Sequence, residues 1–346
     1  MTRPDPRRAE DVVRRLCDSA DDATALRVRV VEALRPVLGF RWYAWVLTDP
    51  VTTVGSAPYA DVPKLDGLPG LIRAKYLTPE HRWTSLDAPV RLSALPQDAA
   101  TRWRTALAPY AADVASVVHS DRHGTWAFLD LWREEGSFDD GHLDLLERTR
   151  APLAKALRRC QARTFSELSA PPGPRDGPGV LLVDEDLHVI GDTQTAERWL
   201  STLLPPSADR APVPAVILNV AAQLLATEQG VDDHPARARV HLAHGRWITA
   251  WAARLHATDG SAPIAVTMEE TAPLDRLEVF TRACGLSPRE TTLVGLLAAG
   301  LDTRAVADRM GVSPHTVQDH LKSVFDRTGS RSRRELLSRA LGVSSP

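Results

Sequence analysis

Cysteine is nearly missing from this chain: Cys17, Cys160 and Cys284 stand alone among 346 residues. Single, widely spaced thiols make neither a disulfide framework nor a CxxC metal site. Lysine is almost as rare, with only Lys64, Lys75, Lys155 and Lys322, so arginine carries nearly all the positive charge. No apolar run approaches the roughly 20 residues that a bilayer crossing needs, and the Arg- and Pro-rich start has no signal-peptide core. A cytoplasmic protein without membrane contact is expected. No Ser/His/Asp or Cys/His arrangement, Gly-rich phosphate loop or paired-carboxylate motif rises above chance. No enzyme activity, metal or particular cofactor is therefore expected.

What is present concentrates at the C-terminal end. Ser287-Pro288-Arg289-Glu290 is a capping box with proline at the first helical position. Gly300 ends that helix and Asp302 caps the next. Gly311 makes a turn, Ser313 caps a third helix, and Pro314 opens it toward Thr328 and Gly329. Two short helices around a glycine turn, over about 303–322, are a helix-turn-helix pattern. On the third helix Val317, Leu321 and Val324 fall on one stripe at about 100° per residue. His315, Gln318, Asp319, Lys322 and Asp326 fall opposite, and long polar groups on an exposed helix face suit base edges in a major groove.

These residues resemble the LuxR-type helix-turn-helix domain. The elements carrying the resemblance are Leu286-Ser287-Pro288-Arg289-Glu290, Gly300, Ser313, Thr316-Val317, His320 and Arg334-Glu335-Leu336. Two positions depart from the pattern: His315 stands where lysine is common, and Arg327-Thr328 replaces a Lys-Leu ending. The resemblance implies double-stranded DNA as partner. Gln318, Asp319 and Lys322 would then reach bases, and Ser313, His315, Thr316 and Arg331 would reach phosphates. Asp319 would accept from a cytosine amine or hold Lys322 one turn away. His320, at the edge of the apolar stripe, has a structural role. Leu336, Leu337 and Leu341 would supply a dimer contact, with packing inside the domain an equal alternative for Leu336. A homodimer and a contact with RNA polymerase follow from the same resemblance. Charge agrees: residues 282–346 hold ten Lys+Arg against six Asp+Glu, while the whole chain is −2.

The rest of the chain is cut at Ser169-Ala170-Pro171-Pro172-Gly173-Pro174, continuing to Gly179, a Pro/Gly run that reads as a linker. Before it, over 1–168, a helix from Ala23 to Arg35, stopped by Pro36, leads to a strand in FRWYAWVLTD. A second strand is expected at Val51–Ser56 and a hairpin over Val114–Trp132. An exit helix should run from about Asp139 to Glu167 with a kink at Pro152. After the linker, 180–271 reads strand, turn, strand, helix, helix, hairpin, strand. The helix beginning at Pro214 places Val216, Ile217, Val220 and Leu224 on one face. In element order the first region is similar to a GAF domain and the second to a PAS domain. The expected fold class is thus multidomain: two α+β sensor-like domains, then an all-α four-helix domain over 280–346.

Weaker candidates divide between packing and binding. Trp42, Trp45, Trp126 and Trp132 fall on expected strands and suit either a core or a small-molecule cavity in the GAF-like region. His119, His123, His234, His241 and His244 are read as solvated turn residues, because no third metal ligand accompanies any pair. Val180–Val183 followed by Asp184-Glu185-Asp186 resembles the start of a phosphoacceptor receiver. However, no lysine lies between Lys155 and Lys322, so the acids are read as a strand-ending turn. The competing class is a ligand-binding or enzymatic protein whose helical tail mediates protein interaction.

Overall fold

The computed structural model describes residues 5–166, 177–203, 213–242, 245–256, 258 and 262–342. Most of the expected 169–179 linker, and His244, lie outside the described residues. Among the described residues no helix is long and apolar enough to cross a membrane.

The first sheet is built from β1 (Trp42–Thr48), β2 (Gly55–Asp61), β3 (Val90–Arg91), β4 (Asp113–Asp121) and β5 (Gly124–Arg133). Its spatial order is β2-β1-β5-β4-β3. The pairs β1–β2, β1–β5, β3–β4 and β4–β5 are antiparallel. The expected hairpin over Val114–Trp132 is β4 and β5, closing at Asp121↔Gly124. Helices α1 (Pro6–Asp18), α2 (Ala23–Leu38), α3 (Leu68–Tyr76), α4 (Thr101–Leu107) and α5 (Asp140–Arg163) complete this region. Two expectations need correction. Pro36 lies inside α2, which ends instead at Gly39 with φ 61°. The second strand begins at Gly55, not Val51, because Asp49 folds the intervening residues into a turn. Its carboxylate accepts from Val51 N and Thr52 N at 2.9 and 3.3 Å, and Thr53 sits at φ 62°.

The second sheet repeats the order. Strands β6 (Gly179–Val183), β7 (Val189–Asp192), β8 (Arg237–His241), β9 (Trp247–Arg254) and β10 (Ile264–Glu270) run β7-β6-β10-β9-β8. In each sheet the first strand sits between the second and the fifth, and the third lies at an edge. Asp184 Oδ1 accepts from Asp186 N and His188 N, so the acidic triplet is the expected turn between β6 and β7. The helices between β7 and β8 are α6 (Gln194–Leu203) and α7 (Ala215–Glu228).

Residues of both sheets lie in one compact unit. The helix α7 explains this: it packs on α3 and β2 of the first region. It is buried on nearly all sides, from Val216 to Ala226 with Leu224 the least covered, rather than on the single face expected. A helix that is apolar all round must be enclosed. Asn219 Nδ2 donates to Gly55 O at 3.0 Å, and a Cβ on Gly55 would come within 2.6 Å of that nitrogen. The approach therefore requires glycine. Buried charges fasten the same contact. Arg239 and Asp49 are joined through Nε–Oδ2 at 2.7 Å with both side chains fully enclosed. Arg82 Nε donates to Asp232 Oδ2 at 2.7 Å and its Nη2 to Gln223 Oε1. Burial alone would raise the Asp49 carboxyl, but hydrogen bonds and charge from Arg239 outweigh it and hold it below its ordinary value.

The second compact unit comprises Arg158–Arg175, His241–Trp247 and Glu270–Pro346. Helix α8 (Pro273–Ala283), absent from the sequence expectations, opens its C-terminal part, followed by α9 (Pro288–Ala298), α10 (Thr303–Met310), α11 (Pro314–Thr328) and α12 (Arg333–Leu341). An aromatic group anchors the unit. Phe165 stacks on Trp247 at 4.9 Å and meets the edge of Phe280 at 5.3 Å. The guanidinium of Arg276 lies 4.8 Å from the Phe165 ring centroid, and its Nη1 donates to Gly245 O at 2.8 Å. Helix α12 rests on α8 and α9.

Candidate DNA-binding surface

Helices α9 to α12 each start on the cap their sequence supplies. Ser287 Oγ accepts from Glu290 N, and Glu290 Oε2 accepts from Ser287 N at 2.7 Å, which completes the capping box. Asp302 Oδ1 takes Ala305 N at 2.8 Å, Ser313 Oγ takes Thr316 N at 3.1 Å, and Ser332 Oγ takes Glu335 N at 3.1 Å. Gly311 at φ 66° and Gly329 at φ 65° end α10 and α11 in the left-handed conformation. These local bonds fix the angle at which α11 leaves the turn.

Val317, Leu321 and Val324 are buried, and His315, Gln318, Asp319, Lys322 and Asp326 are exposed. The two faces of α11 separate as the sequence implies. Ser313 is exposed at the cap, Thr316 is half-buried, and Arg331 is exposed in the turn before α12. His320 is half-buried beside the apolar stripe. Asp319 pairs through Oδ2 with His315 Nδ1 at 3.1 Å, one turn earlier, rather than with Lys322.

One residue does more than its motif suggested. Glu290 is 4% exposed, and its second oxygen accepts from Ser323 Oγ of α11 at 2.6 Å. Arg327 Nε lies 3.4 Å from the same oxygen. The capping carboxylate of α9 therefore also clamps the recognition helix. Burial alone would raise its pKa, but hydrogen bonds from Ser323 and Ser287, together with the Arg327 charge, hold it below the ordinary value. The capping-box spacing pointed to the first role. The second joins residues 33 apart and leaves no local signal.

The expected dimer leucines divide. Leu336 is fully buried within the module, so its side chain is consumed by packing and is withdrawn from a twofold contact. Leu337 and Leu341 are half-buried. Arg333 donates to Leu301 O and so ties α12 back to the turn after α9.

His119 is no turn residue: it is buried on β4, 5.4 Å from the Trp45 ring centroid, and burial pushes its pKa down to about 4. His123 lies in the β4–β5 turn, as expected. His234 is half-buried, with Nδ1 2.6 Å from Asp232 Oδ1, and that hydrogen bond raises its pKa. It stands with Asp232 and Asp233 in the one described cluster whose atoms could approach a cation, but Asp232 is already engaged by Arg82. His241, at the end of β8, is half-buried against the Trp247 ring rather than solvated.

Of the four strand tryptophans, only Trp132 lines the cavity of about 360 Å³ on the α3/α4 face of the first sheet. Trp103 of α4, not singled out in the sequence, joins it at 6.1 Å in an edge-to-face contact. Trp45 packs on the opposite side against His119, Trp126 Nε1 donates to Asp121 at 3.0 Å, and Trp42 Nε1 donates to Glu134 at 3.2 Å. Lys75 and Asp130 form a buried ion pair at 2.9 Å on the cavity wall.

Residues 285–340 match the family described as bacterial regulatory proteins, luxR family. The C-terminal module is a LuxR-family helix-turn-helix domain. Curated relatives agree. HTH-type transcriptional regulators of Mycobacterium bovis and Mycobacterium tuberculosis are 41% identical over 61 residues, 18% of this chain and 7% of theirs. The HTH-type transcriptional regulator GfsR of Streptomyces halstedii is 32% identical over 111 residues, 29% of this chain and 45% of its own. The matches thus span less than half the length of these relatives. A solved structure, the N-acylhomoserine-lactone-dependent LuxR-family factor CepR2 of Burkholderia cenocepacia, is 19% identical over 44% of this chain and 92% of its own. Its TM-score is 0.35, below the level from which a shared fold follows.

Proposed function

We propose that this protein is a sequence-specific DNA-binding transcriptional regulator of the cytoplasm, not an enzyme, whose two N-terminal α+β regions act as sensors. The observation that carries the reading is the capped helix α11, held by Glu290 and presenting Gln318, Asp319 and Lys322 outward in a LuxR-family domain. Gln318 suits adenine and Lys322 suits guanine, while Asp319, paired with His315, suits a cytosine amine. Ser313, His315, Thr316 and Arg331, at the start of α11 and before α12, suit phosphate contacts. A homodimer on a two-half-site operator fits the module, with Leu337 and Leu341 as the contact. Transcription regulation then implies contact with RNA polymerase.

The shared strand order of the two sheets supports reading the first region as GAF-like and the second as PAS-like. The cavity between the first sheet and the start of α7 suits a small-molecule signal.

The test is selection of bound duplexes from a random pool, followed by gel-shift titration of the winner. A selected motif bound at least about a thousandfold tighter than random duplex supports specific recognition. Binding without sequence preference, or no shift at micromolar protein, overturns it.

A further inference from the structure

The cavity described above is a candidate receptor site whose chemistry can be read from its walls. Apolar side chains make most of the lining: Val46 of β1, Leu71 and Ile72 of α3, and Phe128 of β5 among them. At about 360 Å³ it lies at the small end of pockets that enclose compact organic ligands.

Three features restrict what would fit. First, the charges in the wall cancel. Lys75 and Asp130 are 4% and 2% exposed and satisfy each other, with Ser116 Oγ donating to the same carboxylate. Lys75 Nζ also lies 3.3 Å from His81 Nδ1, and burial, reinforced by the Lys75 charge, keeps that imidazole neutral. A charged ligand would enter an already balanced, low-dielectric wall with no counter-ion, which opposes its binding.

Second, the wall has spare donors. Trp103 and Trp132 both line the cavity, and among the described residues their buried indole N–H groups have no hydrogen-bond partner. Buried donors are normally satisfied, so an acceptor oxygen on a ligand would relieve a standing deficit. Third, part of the wall comes from the second region. Val213, Pro214, Ala215 and Asn219, at and before the start of α7, line the cavity together with the first sheet. Asn219 also holds Gly55, at the start of β2.

We propose that this composite cavity binds an uncharged, largely apolar molecule of about 15–20 non-hydrogen atoms bearing a carbonyl or ether oxygen. The oxygen takes an indole N–H of Trp103 or Trp132, and the body fills the space between β1, α3 and the start of α7. Occupancy therefore touches both α+β regions at once. The inference rests on the reading of the N-terminal part as a sensor.

The full-length chain would be titrated with prodan, a neutral acyl-dimethylaminonaphthalene whose emission shifts to the blue in apolar sites. Two comparison probes are the same naphthalene without its acyl group and the anionic anilinonaphthalene sulfonate. Saturable binding of prodan, one per chain, is expected. Ala44→Leu fills the cavity from β1 and Ala215→Leu fills it from α7, and each should weaken prodan at least about tenfold. Trp103→Phe keeps the ring but removes the donor, so it should weaken prodan about fivefold and leave the deacylated probe unchanged.

The proposal is overturned by absence of saturable binding, by binding indifferent to both filling variants, or by sulfonate binding as tight as prodan. Prodan affinity unchanged in Trp103→Phe assigns the donor to Trp132, and affinity unchanged in Trp132→Phe as well overturns the donor role. The two filling substitutions lie on different regions, so misfolding of one, read from its thermal midpoint, leaves the other decisive. DNA binding by the unliganded chain is measured apart. A chain that binds prodan but no DNA refutes the regulator reading and keeps the pocket, and the reverse result refutes the pocket alone.

Discussion

The two ends of this chain place charge in opposite surroundings. In the double-sheet region Arg239 and Asp49 meet with neither side chain exposed. On the recognition helix His315 and Asp319 meet with 87% and 68% of their side chains in water. Both bring a nitrogen donor or base to a carboxylate near 3 Å, yet they do different jobs. The enclosed pair cannot rearrange without leaving a bare charge, so it fixes how the two α+β regions are joined. The exposed pair costs little to open, so its groups stay available to another molecule. Rigidity in one place and availability in the other follow from solvent, not from residue type.

Breaking the enclosed pair should give the largest effect. Arg239→Ala removes two side-chain donors to Asp49, Nε at 2.7 Å and Nη2 at 2.8 Å, together with the positive charge, and leaves only the backbone N–H at 3.0 Å. A stranded buried carboxylate is worth about 3–5 kcal/mol, read as a lower urea midpoint. The double change Arg239→Met with Asp49→Leu should recover part of that loss. Loss unchanged in the double variant would show that the charges themselves are not the constraint.

The clamp at Glu290 lies between the extremes, since it is buried but joins two helices of one module rather than two regions 190 residues apart. Glu290→Ala strands Ser287 N–H and Ser323 Oγ and should cost about 1–3 kcal/mol of stability in the C-terminal module. The pH dependence has a definite sign. The folded carboxyl is held below its unfolded value, so its contribution is complete above the ordinary carboxylate range and fades as pH falls through the folded value. Glu290→Gln should therefore flatten the acid limb of the stability curve. Parallel acid limbs in both proteins would remove Glu290 as its source.

How far each end was legible follows the same division. The caps at Ser287, Asp302 and Ser313 and the turn at Gly311 act over three or four residues, so their signals sit side by side in the sequence. The polar face of α11 was readable because helical periodicity alone assigns it. Arg82 and Asp232, by contrast, are 150 residues apart, and Asp49 and Arg239 are 190 apart. No local pattern announces such pairs. Enclosure of α7 depended on the same long-range contact, which is why one apolar face was expected where nearly all are buried. The start of β2 was misplaced because Asp49 spends its carboxylate on backbone N–H groups, a turn that its β-prone neighbours Val51 to Val54 conceal. Trp103 carries no local signal for a related reason: its place in the cavity is set by α4 packing on the sheet, not by neighbours in sequence.

On the exposed face, binding should change more than folding. Lys322→Ala removes one point charge from the reading surface, without the bidentate geometry of arginine. The expected loss is about 1 kcal/mol, roughly fivefold in operator affinity, with one operator position relaxed. A shift in affinity without a change in sequence preference would make Lys322 a phosphate contact instead.

The smallest expected effect is on stability at Asp319. An exposed pair one turn apart on a helix is worth only a few tenths of a kcal/mol, so Asp319→Asn should leave the thermal midpoint within about a degree. Its effect on DNA is separate. The carboxylate faces an anionic partner, and asparagine keeps the shape while removing the charge. If Asp319 only restrains His315, Asp319→Asn strengthens binding to all duplexes alike, and the gain shrinks as salt rises. If it accepts a cytosine amine, the same change relaxes selection at one base pair while affinity for random duplex rises less. Competition gel shifts at two salt concentrations separate these outcomes. A fall in the thermal midpoint as large as that of Glu290→Ala would contradict both, because a contact left in water would then be acting as an enclosed one.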